Sequence, residues 1–123
     1  MYNILICDDE PDIVAALKIY LTGDDYCLFE ANNGRQALEV VEEHDIHLVL
    51  LDIMMPEMDG YEASRQIRAI NRPDAKTVPI IALTANAFTE DALRAAEAGM
   101  DAHMTKPFDF DKLKKCMSEI KQS

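Results

Sequence analysis

The sequence is poor in cysteine, in basic residues and in long apolar runs, and each shortage excludes a class of protein. Its three cysteines show no CxxC spacing, which indicates reduced thiols packed as small core residues in a cytoplasmic protein. No apolar run approaches the roughly 20 residues of a membrane span, and the start MYNILICDDE lacks the basic lead of a signal peptide. We therefore expect a cytoplasmic location and no membrane partner.

Basic residues are also outnumbered, with 12 Lys and Arg against 23 Asp and Glu and a net charge of −11. Such a surface repels phosphate backbones, so we expect no direct nucleic-acid binding, whereas an electropositive partner or a metal cation is favoured. The length of 123 residues and the hydrophobic fraction of 49% predict one domain with a real core.

Short apolar runs alternate with helical patterns along the chain. The predicted strands cover residues 3–7, 26–31, 48–52, 79–83 and 102–105. The predicted helices cover residues 11–22, 34–44, 60–70, 90–98 and 109–121, and residues 71–79 are predicted to be the longest loop. The apolar runs are continuous, as in parallel strands that are covered on both faces, so the alternation predicts a parallel sheet with helices on both sides.

The residues that could take part in catalysis or binding lie where the predicted strands end. In a parallel α/β sheet this is the edge where ligands bind. These residues are Asp8 and Asp9 after the first strand, Asp52 in the third, Thr84 after the fourth and Lys106 after the fifth. Three carboxylates so close together cannot all stay charged without a partner, so either their pKa values rise or a cation lies among them. For a cation, oxygen ligands without His or Cys favour Mg²⁺. A metal ion, an ammonium and a hydroxyl around one carboxylate can cradle a phosphoryl group, with Asp52 as the nucleophile.

Four motifs carry a resemblance to a known family, namely ILICDDE (4–10), LVLLDIMMPEMDG (48–60), PIIALTA (79–85) and KPF (106–108). The order and spacing of these motifs resemble those of the response-regulator receiver domains of two-component signalling. The resemblance covers essentially the whole length of the chain. The resemblance implies a flavodoxin- or CheY-like α/β fold, a three-layer doubly wound (βα)5 arrangement with strand order 2-1-3-4-5. It implies a regulatory phosphoacceptor rather than an enzyme, which takes a phosphoryl group from the phosphohistidine of a sensor histidine kinase or a phosphotransfer protein.

The resemblance also implies a role for each residue at the phosphorylation site. Asp52 is the expected phosphoacceptor, Thr84 is expected to donate a hydrogen bond to the phosphoryl group, and Lys106 is expected to pair with it. The peptide bond between Lys106 and Pro107 is expected to be cis, as is usual in the family.

The family's metal site implies Mg²⁺ as the cofactor of this chain. The expected direct ligands are Asp9, Asp52 and the backbone carbonyl of Met54, and Asp8 is expected to act through water. An apolar Met54 side chain beside the site should hinder an attacking water, so we expect a long-lived phosphoryl group. A half-life of seconds at neutral pH would contradict this expectation.

The switch of the family couples a threonine to an aromatic residue, and here these positions hold Thr84 and His103. Phosphorylation is expected to change the surface formed by the fourth predicted helix, the fifth strand and the fifth predicted helix. Because the family usually carries Tyr or Phe at the position of His103, two outcomes stay open. The switch works with the smaller ring, or it becomes pH-sensitive because His titrates near neutrality.

Two other functions compete with the phosphoacceptor. A Mg²⁺-dependent aspartyl-phosphate phosphohydrolase would need an acid two residues after the nucleophile, where this chain has Met54. A binding-only pseudo-receiver would not need the acid pair, Thr84 and Lys106. We expect residues 1–123 to be the receiver domain, with any output domain absent from this chain. The further partners that the family implies are an attached output domain and a second copy of the chain after phosphorylation, with a monomer before it.

Overall fold

A parallel sheet forms the centre of the molecule. The computed structural model describes residues 2–21, 26–55, 58–84, 89–105 and 110–122. The five strands in these ranges are β1 (Tyr2–Cys7), β2 (Tyr26–Ala31), β3 (Leu48–Asp52), β4 (Ile80–Thr84) and β5 (Ala102–Thr105). Their order is β2-β1-β3-β4-β5 and every pair is parallel, so the predicted sheet is confirmed.

Within the same ranges, six helices connect or follow the strands. They are α1 (Pro11–Tyr20), α2 (Gly34–Glu43), α3 (Gly60–Ala69), α4 (Pro73–Thr77), α5 (Thr89–Glu97) and α6 (Phe110–Gln122). The five predicted helices are all present, with ends that differ from the prediction by two residues or fewer. None of the helices in the described ranges is long and apolar enough to cross a bilayer.

The helix α4 corrects the prediction of a loop at residues 71–79. Pro73 begins this helix, and its fixed φ suits the first helical position. Ala75 is buried and joins the helix to the core. A helix of five residues makes little more than one turn, so its sequence shows no periodic apolar face.

Apolar side chains pack on both faces of the sheet, which makes the domain a three-layer structure. On one face, the helices α2 to α5 contribute residues such as Ala37, Ile67 and Ala95. On the other face, α1 and α6 contribute Leu17 and Leu113. All residues of β3 and β4 are buried, which explains why their sequences are apolar without alternation.

The C-terminal end of α5 is fixed against α3. Gly99 follows this helix in the left-handed conformation that the sequence predicts, with φ +88°. The Ser64 hydroxyl donates a hydrogen bond to the carbonyl of Ala98 at 2.7 Å. The Arg68 guanidinium donates two hydrogen bonds to the carbonyl of Gly99, at 3.0 and 2.7 Å. These bonds satisfy carbonyls at a helix end, where intrahelical partners are missing.

Candidate functional site

Asp52 ends the central strand β3 and is buried at its tip. The residue is only 1% exposed, and β1 and β4 flank its strand. Its Oδ1 accepts a hydrogen bond from the backbone N–H of Met54 at 3.1 Å, which orients the carboxylate relative to the loop that follows. The backbone N–H of Ile53 donates to the carbonyl of Leu83 at 3.1 Å, so β4 holds this loop in place. A carboxylate at such depth is costly without compensating groups.

Asp8 is the second buried carboxylate, and it lies directly after β1. The residue is 1% exposed, and its Oδ1 accepts a hydrogen bond from the backbone N–H of Glu10 at 2.9 Å. Its own backbone N–H donates to the carbonyl of Ala31 on β2 at 3.3 Å. This turn leaves Asp9 and Glu10 exposed at the same edge of the sheet.

The carboxylates of Asp8, Asp9, Glu10 and Asp52 form one cluster. One ligand oxygen from each residue lies within 4.8 Å of the others. Negative groups at this spacing repel one another strongly unless a cation lies among them. The donors are carboxylate oxygens without His or Cys, and this is the donor chemistry of a hard divalent cation such as Mg²⁺. The residues present therefore fit the ion that the sequence implies.

Thr84 ends β4, the strand next to Asp52. Leu83 pairs with Asp52 across the two strands, so Thr84 lies one residue nearer the loops. Thr84 is 5% exposed, so this residue is buried at the edge of the sheet. The structure thus brings Asp8, Asp9, Asp52 and Thr84 to one edge, as the sequence predicted.

His103 lies on β5 opposite Ala82 of β4 and is exposed. Since Thr84 pairs with Thr105, His103 lies two residues further from the loops than the residue that faces Thr84. Its proposed part in a switch stays a prediction. Lys106 and Pro107 lie outside the described residues, so the ammonium and the cis peptide bond also stay predictions.

Gly60 has a role that the sequence reasoning missed. A Cβ atom at this position would collide with the carbonyl oxygen of Asp52 and would lie 2.8 Å from Cα of Ile53. The backbone N–H of Gly60 donates to the carbonyl of Ile53 at 3.0 Å. Only glycine lets the start of α3 pack directly against the backbone of Asp52 and Ile53. The sequence signal was a lone glycine after an acidic turn, which also suits an ordinary helix start.

Cys7 ends β1 and is fully buried beside the carboxylates. Its thiol donates a weak hydrogen bond to the carbonyl of Asn33 at 3.4 Å, and its sulfur lies 3.5 Å from that of Met55. Burial first, and then the charges of Asp8, Asp52 and Asp9, raises the pKa of Cys7 to about 12. The prediction of a core residue is right here, whereas Cys27 and Cys116 are only half-buried.

Comparison with known proteins decides the family. The model described as "Response regulator receiver domain" matches residues 4–118. The chain belongs to the response regulator receiver domains. This receiver domain is 42% identical over 106 residues to the transcriptional regulatory protein ResD of Bacillus subtilis (strain 168), and the match covers 86% of the chain and 42% of ResD. The chain therefore spans less than half the length of the curated relatives that it matches, between 26% and 42%.

Two solved structures share the fold of this receiver domain. The receiver domain of the sensor histidine kinase PA1611 from Pseudomonas aeruginosa PAO1, which has a magnesium ion in its active-site cleft, matches with a TM-score of 0.88 and 33% identity. That match covers 99% of this chain and 98% of the other. The receiver domain of Ssk1 from Saccharomyces cerevisiae, solved with the phosphotransfer protein Ypd1, matches with a TM-score of 0.87 and 30% identity over 96% of this chain and 87% of that one.

Proposed function

We propose that Asp52 of this receiver domain accepts a phosphoryl group from the phosphohistidine of a sensor histidine kinase or a phosphotransfer protein. The observation that carries the proposal is the buried Asp52 carboxylate at the tip of the central strand, within 4.8 Å of three other carboxylates. The Ssk1 receiver domain, solved in complex with a histidine phosphotransfer protein, supports this class of partner. A carboxylate oxygen of Asp52 forms the bond to phosphorus while the bond from phosphorus to the imidazole nitrogen breaks.

The residues around Asp52 position the group and neutralise its charge. Asp9, Asp52 and the backbone carbonyl of Met54 would hold Mg²⁺, with Asp8 acting through water. When bound, the ion offsets the carboxylate charges and the charge on the phosphoryl oxygens. The magnesium ion in the PA1611 receiver domain supports this assignment. The N–H of Met54, which donates to Oδ1, keeps the Asp52 carboxylate oriented for attack.

Thr84 and Lys106 complete the proposed site on the phosphoryl side. The hydroxyl of Thr84 would donate to a phosphoryl oxygen, and the ammonium of Lys106 would pair with another. Movement of Thr84 would shift the equilibrium of the surface formed by α5, β5 and α6, with His103 as the second switch residue. Because ResD is a transcriptional regulatory protein more than twice as long as the match, we propose that this surface controls an output domain or a second receiver.

Replacement of the phosphoacceptor tests the proposal. Acetyl phosphate with Mg²⁺ should label the wild-type chain, and Asp52→Asn should abolish the label. The matched control is Asp59→Asn, since Asp59 is an acid of the same loop whose side chain caps α3 by accepting from the N–H of Glu62 at 2.9 Å. Asn also caps helices well, so this control should be labelled as the wild type is. Labelling of Asp52→Asn at the wild-type level would refute the assignment.

A further inference from the structure

Met54 exposes its thioether at the mouth of the phosphorylation site. The residue is 73% exposed, although its backbone N–H is bonded to Oδ1 of Asp52 at 3.1 Å. The main chain therefore holds residue 54 next to Asp52 while most of the residue stays open to solvent. Of the large hydrophobic residues that are exposed in the described part of the chain, Met54 alone has an oxidisable sulfur, since the others are Ile19 and Leu93.

The other methionines of the described ranges are shielded. Met55, Met100, Met104 and Met117 are 8%, 7%, 9% and 3% exposed. Met58 is half-buried, and it packs against one of the two cores. Because oxidation of methionine follows exposure, a dissolved oxidant should modify Met54 first among the methionines in the described part of the chain.

We propose that Met54 is a redox modification site, at which a hydroperoxide shortens the lifetime of the phosphoryl group on Asp52; the proposal rests on the phosphoacceptor function. The Met54 sulfur attacks one peroxide oxygen, a sulfur–oxygen bond forms and the oxygen–oxygen bond breaks. The other oxygen takes up a proton and leaves as water or an alcohol. The sulfur loses two electrons and the peroxide gains them, so no further reactant is needed.

The product changes what surrounds the acyl phosphate. A thioether is apolar and a weak acceptor, whereas a sulfoxide is a strong hydrogen-bond acceptor of similar size. Hydrolysis of the acyl phosphate needs a water molecule near Asp52, and the sulfoxide oxygen can hold such a water. One hydrogen bond of about 1 kcal/mol to the attacking water accelerates hydrolysis about fivefold.

The test compares the decay of the acetyl-phosphate label before and after mild treatment with hydrogen peroxide. Dithiothreitol is added after oxidation, because it restores oxidised thiols and leaves the sulfoxide in place. Tandem mass spectrometry should find the sulfoxide on Met54 before it appears on the buried methionines. The label should then decay about fivefold faster in the wild type and in the loop control Met58→Leu, and at an unchanged rate in Met54→Leu.

Two further measurements extend the test, one without peroxide and the other without a variant. Met54→Gln, which carries a polar acceptor of similar length, should decay fast without oxidation. Methionine sulfoxide reductases of both stereospecificities should restore the slow decay of the oxidised wild type.

The outcomes separate this proposal from the function on which it rests. An equal decay rate before and after full oxidation of Met54, or an accelerated decay in peroxide-treated Met54→Leu, would overturn the redox role and leave the phosphoacceptor assignment intact. A wild type that acetyl phosphate does not label before oxidation would overturn both.

Discussion

At the scale of single residues, the acidic side chains of one cluster differ in burial. Asp8 and Asp52 are each 1% exposed, whereas their neighbours Asp9 and Glu10 face solvent within the same cluster. The buried pair is held by backbone N–H groups, and the exposed pair is accessible to an incoming cation. The thiol of Cys7 is buried beside this cluster, and burial together with the charges of Asp8, Asp52 and Asp9 raises its pKa.

The raised pKa of Cys7 predicts a loss of stability in alkali. Its pKa is about 12 in the folded protein and near 9 in an unfolded chain, so between these values the folded state binds more protons. The free energy of unfolding must therefore fall as pH rises through this interval, by at most about 1.4 kcal/mol per pH unit. Between pH 8.5 and 10.5, Cys7→Ala should lose about 2 kcal/mol less than the wild type in urea denaturation with EDTA present.

The control for this measurement is Cys27→Ala, which removes a half-buried thiol on β2. Its pH dependence should follow that of the wild type. If Cys7→Ala and the wild type lose the same stability over this range, the raised pKa is wrong.

The contact of Gly60 with Asp52 predicts that one added methyl group lowers the free energy of unfolding. Gly60→Ala forces the start of α3 away from the backbone of Asp52, so we expect a loss of about 2 kcal/mol in urea denaturation. Because the same shift moves the Asp52 carboxylate, labelling by acetyl phosphate should also slow. The matched control is Gly34→Ala at the start of α2, where the three atoms nearest to the added Cβ all belong to the side chain of Met58. Equal stabilities of the two variants would contradict this role.

At the scale of elements, the helix α3 connects the loop after β3 with the C-terminal end of α5. Its first residue, Gly60, packs on the backbone of Asp52, and further along Ser64 and Arg68 donate to the first two carbonyls after α5. Arg68 also donates to the carbonyls of Ala75 and Val78, and so it connects α3 with the segment around α4.

Loss of the Arg68 contacts should therefore destabilise the domain. Arg68→Met keeps most of the apolar stem but leaves several partly buried carbonyls without their charged donor, and we expect a loss of about 2 to 3 kcal/mol in urea denaturation. Arg65→Met on the same helix removes only an exposed ion pair with Glu62, which should cost about 0.5 kcal/mol or less. Similar losses in the two variants would show that the carbonyl contacts contribute little.

At the scale of the whole molecule, charge and surface predict the oligomeric state. The net charge of −11 opposes self-association of the unphosphorylated chain. On α5, the guanidinium of Arg94 lies 4.3 Å from the ring centroid of Tyr61, so it packs against α3 of its own chain. These features favour a monomer before phosphorylation.

Sedimentation with and without beryllofluoride tests this prediction. The untreated chain should sediment as a monomer of 13.9 kDa. Any species of twice that mass should appear only when beryllofluoride and Mg²⁺ are both present, and Asp52→Asn should abolish it. A dimer in the untreated wild type would contradict the prediction.

The sequence by itself determined the succession of strands and helices along the chain and the edge of the sheet where the candidate functional residues lie. Apolar runs and turn residues are local signals, and parallel strands must bring their C-terminal ends together, so Asp8, Asp52 and Thr84 could be placed without coordinates. The short helix α4 escaped prediction because one turn shows no period.

Only the tertiary structure decided the packing around Asp52. In the folded protein Asp8 and Asp52 are buried, and Gly60 packs against the backbone of Asp52. Met54 is exposed, and Arg68 donates to the carbonyl of Gly99 after α5. Each of these facts depends on how elements distant in the chain pack against one another. No local pattern in a single sequence encodes such contacts, because the same residues would suit an ordinary helix start, loop or exposed helix face equally well.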